Sequence, residues 1–254
     1  MHQLPLEQQL LILIQAAALT GLSIRVWSTG LYHVYRYFFG YLLVQLVQIT
    51  ALSFIAFDSR AYVFAWVASE GLIVCFYVLV VLELYSLILG DMAGLASLSR
   101  RYIKIALAVA ILISLLLLGL EKSKRGIVPR FFTFERAVVF SLVLFVLLLT
   151  AFLVYYPAPL KRNVIIYSIG YAAYFLAKAT SIFINNLGYY WNRLFSNVCL
   201  AASLACLLFW LFALNRQGET KSVVIGRHWK PEDEEHLLAQ LRAINSNLLR
   251  TARK

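Results

Sequence analysis

Long apolar runs separated by short polar stretches dominate the first 214 positions of the chain. A helix that crosses a bilayer needs about 20 mostly apolar residues. Seven runs approach or exceed this length, so the sequence predicts an all-α membrane protein with a seven-transmembrane-helix bundle over 1–214. The predicted spans are 8–24, 37–57, 62–89, 102–120, 137–156, 163–186 and 191–214.

Residues 215–254 break this pattern and are predicted to form a cytoplasmic tail. The segment holds eight of the 23 Lys and Arg residues and five of the 12 Asp and Glu residues. Pro231 and the four acidic residues after it suit the first turn of a helix. Apolar residues then recur at helical spacing, which predicts an amphipathic helix over about 231–250. Its apolar stripe consists of Leu237, Leu241, Ile244 and Leu248. We expect this helix to dock on a cytoplasmic or membrane protein partner, or on the bundle itself.

Composition agrees with a lipid bilayer as the main surroundings of the chain. Apolar residues make up 62% of it and charged residues 14%, against roughly 45–50% and about 25% in soluble domains. The net charge of +11 comes largely from basic residues that flank the predicted spans, and no nucleic-acid motif is present. We therefore expect no nucleic-acid partner.

The distribution of Lys and Arg predicts the orientation, since basic residues are enriched on the cytoplasmic side. An outside N-terminus and a cytoplasmic C-terminus place eleven basic residues of the loops and near tail inside and seven outside. This predicts a multi-pass protein of the cell membrane, either plasma or bacterial inner. The loop 121–136 carries five basic residues on the outside. It is either an exception to the rule or a patch for anionic headgroups or an acidic partner.

Ionisable residues inside the predicted spans are the main functional candidates, because they are costly in lipid and usually face the protein interior. Lys178 lies on one helical stripe with Tyr171 and Tyr174. In the predicted orientation, Lys178 and Glu70 both lie about eight residues, or roughly 12 Å, below the outer surface. We therefore expect them to meet in a ligand pocket in the outer half of the bundle. The predicted pocket residues are Lys178, Glu70, Gln15, Gln48, Tyr171, Tyr174 and Asn197.

The remaining spans carry fewer polar residues. Glu83 lies near the inner surface, where we expect it to reach Arg100 or Arg101. The fourth and fifth predicted spans have only Ser and Thr in their interiors. We expect both to face lipid at the rim of the bundle.

These features favour a receptor or sensor that binds a ligand in the polar pocket and signals through the tail helix. A non-catalytic subunit of a larger membrane complex and a small-solute transporter or channel remain alternatives. No nucleophile–base pair or phosphate-binding loop is present, so no enzymatic activity and no catalytic residue are expected.

No metal or cofactor is expected either. The four His residues are scattered among ends, loop and tail, which does not suit a metal or haem site. Retinal attached to Lys178, with Glu70 as its counter-ion, is not expected either. Microbial rhodopsins attach retinal to a lysine in the last span, whereas Lys178 lies in the next-to-last predicted span.

Overall fold

Six α-helices form within the part of the chain that the structure, a computed structural model, describes. That part covers residues 6–55, 59–88, 127–155, 158–185 and 192–225, with the single positions 239 and 243. The helices are α1 (Leu6–Ser28), α2 (Arg36–Ser53), α3 (Arg60–Ile88), α4 (Ile127–Tyr155), α5 (Arg162–Asn185) and α6 (Asn192–Ala213). Each overlaps one predicted apolar run. The predicted span 102–120 and the stripe Leu237, Leu241, Ile244 and Leu248 lie outside the described residues.

Three of these helices are long and apolar enough to cross a membrane, which fits a membrane protein. The qualifying stretches are Glu7–Ser28, Arg60–Ile88 and Thr133–Ala151, while Asn197–Ala213 is apolar but shorter. The predicted count of seven spans is therefore not supported. Helix α2 is only 18 residues long and includes Arg36 and two glutamines. Helix α5 is 24 residues long, but it is not among the qualifying stretches.

The six helices pack as a closed ring in chain order. Each helix contacts its neighbours in sequence, and α6 returns to contact α1. Helix α3 also contacts α5 across the ring. One face of α5 therefore points at the centre of the bundle, and this is the face with the tyrosine stripe.

Aromatic side chains fill the centre of the ring. Phe38 of α2, Tyr171 of α5 and Trp210 of α6 are fully buried and pack with ring centroids 4.7–5.9 Å apart. The Trp210 indole lies directly against Gly170 of α5, at a position where a Cβ atom would collide with it. Glycine at this position lets α5 and α6 approach closely.

A two-stranded ribbon closes one end of the bundle, which we call the ribbon end. Strand β1 (Ala158–Lys161) pairs antiparallel with β2 (Ser222–Ile225), with Lys161 opposite Ser222. A 3-10 helix, Arg216–Glu219, connects α6 to β2. The first residues of the predicted tail thus pack against the bundle, in a pairing that the apolar pattern did not predict.

The predicted loop 121–136 needs correction. Helix α4 begins at Ile127, so the last ten residues of the predicted loop, 127–136, belong to a helix, and the loop's other residues, 121–126, lie outside the described residues. Proline at position 129 is compatible with this start, because the first turn of a helix lacks intrahelical N–H partners. Helix α4 packs between α3 and α5 and contacts both of them.

Candidate functional site

Lys178 of α5 lies at the centre of a buried charged cluster. Its Nζ atom is 2.8 Å from Glu70 Oε1, 2.7 Å from Glu135 Oε1 and 2.8 Å from the hydroxyl of Tyr77. An ammonium group has three N–H donors and no acceptor, so these three contacts satisfy it completely. We call Lys178, Glu70, Glu135 and Tyr77 the charged cluster.

Three helices supply this cluster. Glu70 and Tyr77 are seven residues apart on α3 and therefore share a face of that helix. Glu135 comes from α4 and Lys178 from α5, so the lysine joins both neighbouring helices to its own. The side chains of Lys178, Glu70 and Glu135 are 15%, 12% and 3% exposed. Buried charges of this kind persist only when they are paired and hydrogen-bonded.

Helix α2 extends the cluster through Gln48. Its Nε2 atom donates to Glu70 Oε2 at 3.0 Å and to Ser69 Oγ at 3.0 Å. Because a carboxylate only accepts hydrogen bonds, the amide nitrogen of Gln48 must be the atom that faces Glu70. Four consecutive helices of the ring are thus connected by polar contacts at one level.

Tyrosine hydroxyls continue the network toward the ribbon end. The hydroxyls of Tyr77 and Tyr174 are 2.8 Å apart, and Tyr41 donates to Tyr174 at 3.1 Å. All three tyrosines are buried. Tyr171 is the next tyrosine on the α5 stripe, and its hydroxyl has no hydrogen-bond partner within the described residues.

The contrast between Tyr77 and Tyr171 leads to a prediction. Tyr77→Phe should lower the free energy of unfolding by about 1–3 kcal/mol, because it leaves one N–H of a buried ammonium without an acceptor. Tyr171→Phe is the matched control and should be close to neutral, since its hydroxyl is already unpaired. Thermal unfolding of the purified variants in one detergent measures both. Equal losses for the two variants would contradict the assigned role of Tyr77.

The predicted pocket residues are brought together only in part. Lys178, Glu70 and Gln48 are in direct contact, and Tyr174 joins them through Tyr77. Tyr171 contacts the network only through its ring, whose centroid is 6.3 Å from that of Tyr174.

Two predicted pocket residues lie apart from the cluster. Asn197 accepts a hydrogen bond of 3.0 Å from Gln8, which connects α6 to α1. Gln15 lines a separate cavity, described below, that Gln48 also lines. The residues therefore divide between a charged cluster and a neighbouring cavity.

Sequence reasoning missed two residues of the charged cluster, Tyr77 and Glu135, of which Glu135 is the charged one. Glu135 was assigned to the basic loop because the fifth span was predicted to begin at 137. A usable signal was present, since Phe131, Phe134 and Val138 continue the apolar spacing of α4 back past Glu135. A helix extended over those residues would have placed a third carboxylate inside a span.

Glu83 has hydrogen-bond partners that the sequence did not predict for it. Its carboxylate accepts hydrogen bonds from the backbone N–H groups of Tyr37 (2.9 Å) and Phe38 (3.2 Å) and from the hydroxyl of Tyr167 (3.1 Å). The first N–H groups of a helix lack partners within the helix and favour a negative charge. Glu83 of α3 thus caps α2 from a neighbouring helix. The expected partners Arg100 and Arg101 lie outside the described residues.

A second polar cluster ties the tail to the ribbon end. Glu219 accepts hydrogen bonds from Tyr35 (2.6 Å) and Asn163 (3.0 Å), and Lys161 lies 3.4 Å from its second oxygen. Burial and the hydrogen bond to Glu219 raise the pKa of Tyr35 well above its usual value, so the phenol stays protonated and donates. Asn163 also donates to the backbone oxygen of Asn215. These contacts hold the segment after α6 against α2 and α5.

A cavity of about 650 Å³ lies mainly between α1 and α2, close to the charged cluster. We call it the glutamine groove, because four glutamines line it beside apolar side chains. The polar lining residues are Gln9, Gln15, Gln45, Gln48, Thr50, Ser53 and Tyr62, and the apolar ones include Ile12, Ile49, Leu52 and Leu200. Gln45 is 8% exposed, and its Oε1 atom has no hydrogen-bond partner in the described part of the chain.

Comparison with protein-family models, with curated proteins and with solved structures finds no match to the chain. Within the described ranges, no group of three or more His, Cys, Asp or Glu side chains could hold a metal ion.

Proposed function

We propose that this chain is a multi-pass membrane receptor or sensor. A ligand in the glutamine groove changes the packing of the charged cluster, and the helices carry that change to the tail. The proposed orientation has the N-terminus outside, so that the groove lies in the outer half of the bundle and the tail in the cytoplasm. The amphipathic helix over about 231–250 is the proposed output element.

One observation supports this proposal above all others. Gln48 lines the groove and also donates a hydrogen bond to Glu70 of the charged cluster. A ligand that moves this side chain changes a hydrogen bond on a buried carboxylate. Glu70 is bound to Lys178, and through it the change reaches α5. Differential contacts of this kind are what allow a ligand to shift a conformational equilibrium.

The proposal predicts that the charged cluster and the ribbon end are coupled. A bimane fluorophore on Gln217→Cys, with the three native cysteines replaced by alanine, reports on the segment after α6. Glu70→Gln should shift the bimane emission, because it weakens the bond to Lys178 that joins α3 to α5. Ser141→Ala, which removes only a hydrogen bond within α4, is the control and should leave emission unchanged. Unchanged emission in Glu70→Gln would contradict the coupling.

A small-solute transporter or channel is the second candidate, favoured by the depth that the polar groups cover. Polar contacts run from Gln48 through Lys178 to Tyr41, and Tyr167 with Glu83 follows nearer the ribbon end. Proteoliposomes that contain a pH-sensitive dye separate the two functions. A receptor gives no proton flux above that of protein-free vesicles, whereas proton flux above that level would replace the receptor by a transporter or channel.

A further inference from the structure

We infer that the glutamine groove binds an uncharged amphiphile that donates a hydrogen bond to the amide oxygens of Gln45 and Gln48. This inference rests on the proposed receptor function and names the chemical class of its ligand. It follows from the polarity, the charge and the volume of the groove.

Gln45 and Gln48 each offer the groove a hydrogen-bond acceptor. The amide nitrogen of Gln48 is already engaged by Glu70 and Ser69, so only its Oε1 atom is left to contact a ligand. The Oε1 atom of Gln45 is buried without a partner. A buried acceptor without a donor is costly, and the cost disappears when a ligand supplies the donor. A hydroxyl or amide N–H on the ligand meets this requirement.

The lining also argues against a charged ligand. Among the described residues, no Lys, Arg, Asp or Glu lines the groove, and an ion taken from water into a cavity without a counter-charge loses its hydration without compensation. The apolar lining residues, such as Ile12, Ile49 and Leu52, favour a ligand with a hydrocarbon portion. A volume of about 650 Å³ is within the range of roughly 300–1,000 Å³ that is usual for small-molecule sites.

Gln15 adds to the polar lining from the α1 side. It is 6% exposed and belongs to the lining of the same cavity. Gln45 and Gln48 stand on α2, so a ligand in the groove contacts two adjacent helices. This arrangement lets the ligand bridge α1 and α2 at the point where α2 contacts the charged cluster.

Three probes of equal acyl-chain length test separately whether the ligand needs a hydrogen-bond donor and whether it must be uncharged. 1-Monooleoylglycerol is uncharged and has hydroxyl donors, methyl oleate is uncharged without a donor, and oleate is charged. Binding to the full chain in detergent is followed by the shift in thermal unfolding temperature over a range of probe concentrations. We expect 1-monooleoylglycerol to bind at least about five- to tenfold more tightly than the other two, the equivalent of one buried hydrogen bond. Equal shifts with all three would overturn the inference.

Two glutamine variants test the location of the site. Gln45→Leu keeps the approximate volume of the side chain and removes its acceptor, so it should weaken 1-monooleoylglycerol binding by about five- to tenfold. Gln217→Leu, at an exposed position near the ribbon end, is the matched control and should bind as the original chain does. Unchanged affinity in Gln45→Leu would also overturn the inference.

The same probe distinguishes this inference from the proposed function. If 1-monooleoylglycerol binds with the expected selectivity but does not shift the bimane emission at position 217, the ligand class stands and the receptor function fails. If Glu70→Gln shifts the emission but the probe does not bind, the coupling stands and the ligand class fails.

Discussion

Replacing Lys178 with methionine is expected to destabilise the protein more than Tyr77→Phe or Glu83→Ala does. The substitution keeps an unbranched side chain of similar length and removes the ammonium group. Glu70 and Glu135, which both contact Nζ within 2.8 Å, would then face each other without a counter-ion. Breaking a buried ion pair by removing one partner costs about 3–5 kcal/mol. We expect a correspondingly lower unfolding temperature and a smaller yield of monodisperse protein.

A matched control and a rescue make this prediction specific. Lys221→Met makes the same chemical change at an exposed position and should be close to neutral. Lys178→Met combined with Glu70→Gln and Glu135→Gln removes all the charges of the cluster, and it should recover much of the lost stability, because neutral side chains do not need a counter-ion. A triple variant that is less stable than Lys178→Met would show that the loss does not arise from uncompensated carboxylates.

The same variants measure how strongly the cluster residues depend on each other. If Lys178 interacts directly with Glu70, the effects of Lys178→Met and Glu70→Gln should differ from additivity by more than about 0.5 kcal/mol, the limit usual for independent sites. A cycle with Glu135→Gln gives the corresponding value for the second carboxylate. Comparing the two cycles shows which of the neighbouring helices Lys178 holds more tightly.

Apolar run length predicted the helices well, because a continuous hydrophobic segment leaves the backbone few other ways to satisfy its hydrogen bonds. It predicted their ends less well. Helix α4 begins about ten residues before the predicted start, because its basic residues were counted as loop residues. The error had a direct consequence, since it removed Glu135 from the candidate site.

The proximity of Lys178 and Glu70 was within reach of the sequence, since a charge inside a span needs a partner and depth limits the choice. The partners of Glu83 could not be predicted from the sequence. Two of its three donors are backbone N–H groups of α2, and no side-chain pattern marks a free backbone group at a helix end. The glutamine groove could not be predicted from the sequence either, because Gln15 and Gln45 become neighbours only when α1 packs on α2.

Glu83→Ala is expected to have the second largest effect, because it leaves the backbone N–H groups of Tyr37 and Phe38 and the hydroxyl of Tyr167 without an acceptor. Hydrogen bonds to a charged group and helix caps each contribute about 1–3 kcal/mol, so we expect a loss of roughly 2–4 kcal/mol in the free energy of unfolding. Glu83→Gln keeps one acceptor oxygen and should lose about half as much.

The place where the structure loosens in Glu83→Ala provides the more decisive test of whether Glu83 caps α2. If the carboxylate caps α2, its loss frays the first turn of that helix, where Arg36 is exposed. Trypsin should then cut after Arg36 faster in Glu83→Ala than in the original chain, at a temperature where both remain folded. Ser86→Ala, which removes an exposed hydroxyl bonded only within α3, is the control. Equal cleavage rates in the two variants would mean that Glu83 stabilises the bundle as a whole without holding the start of α2.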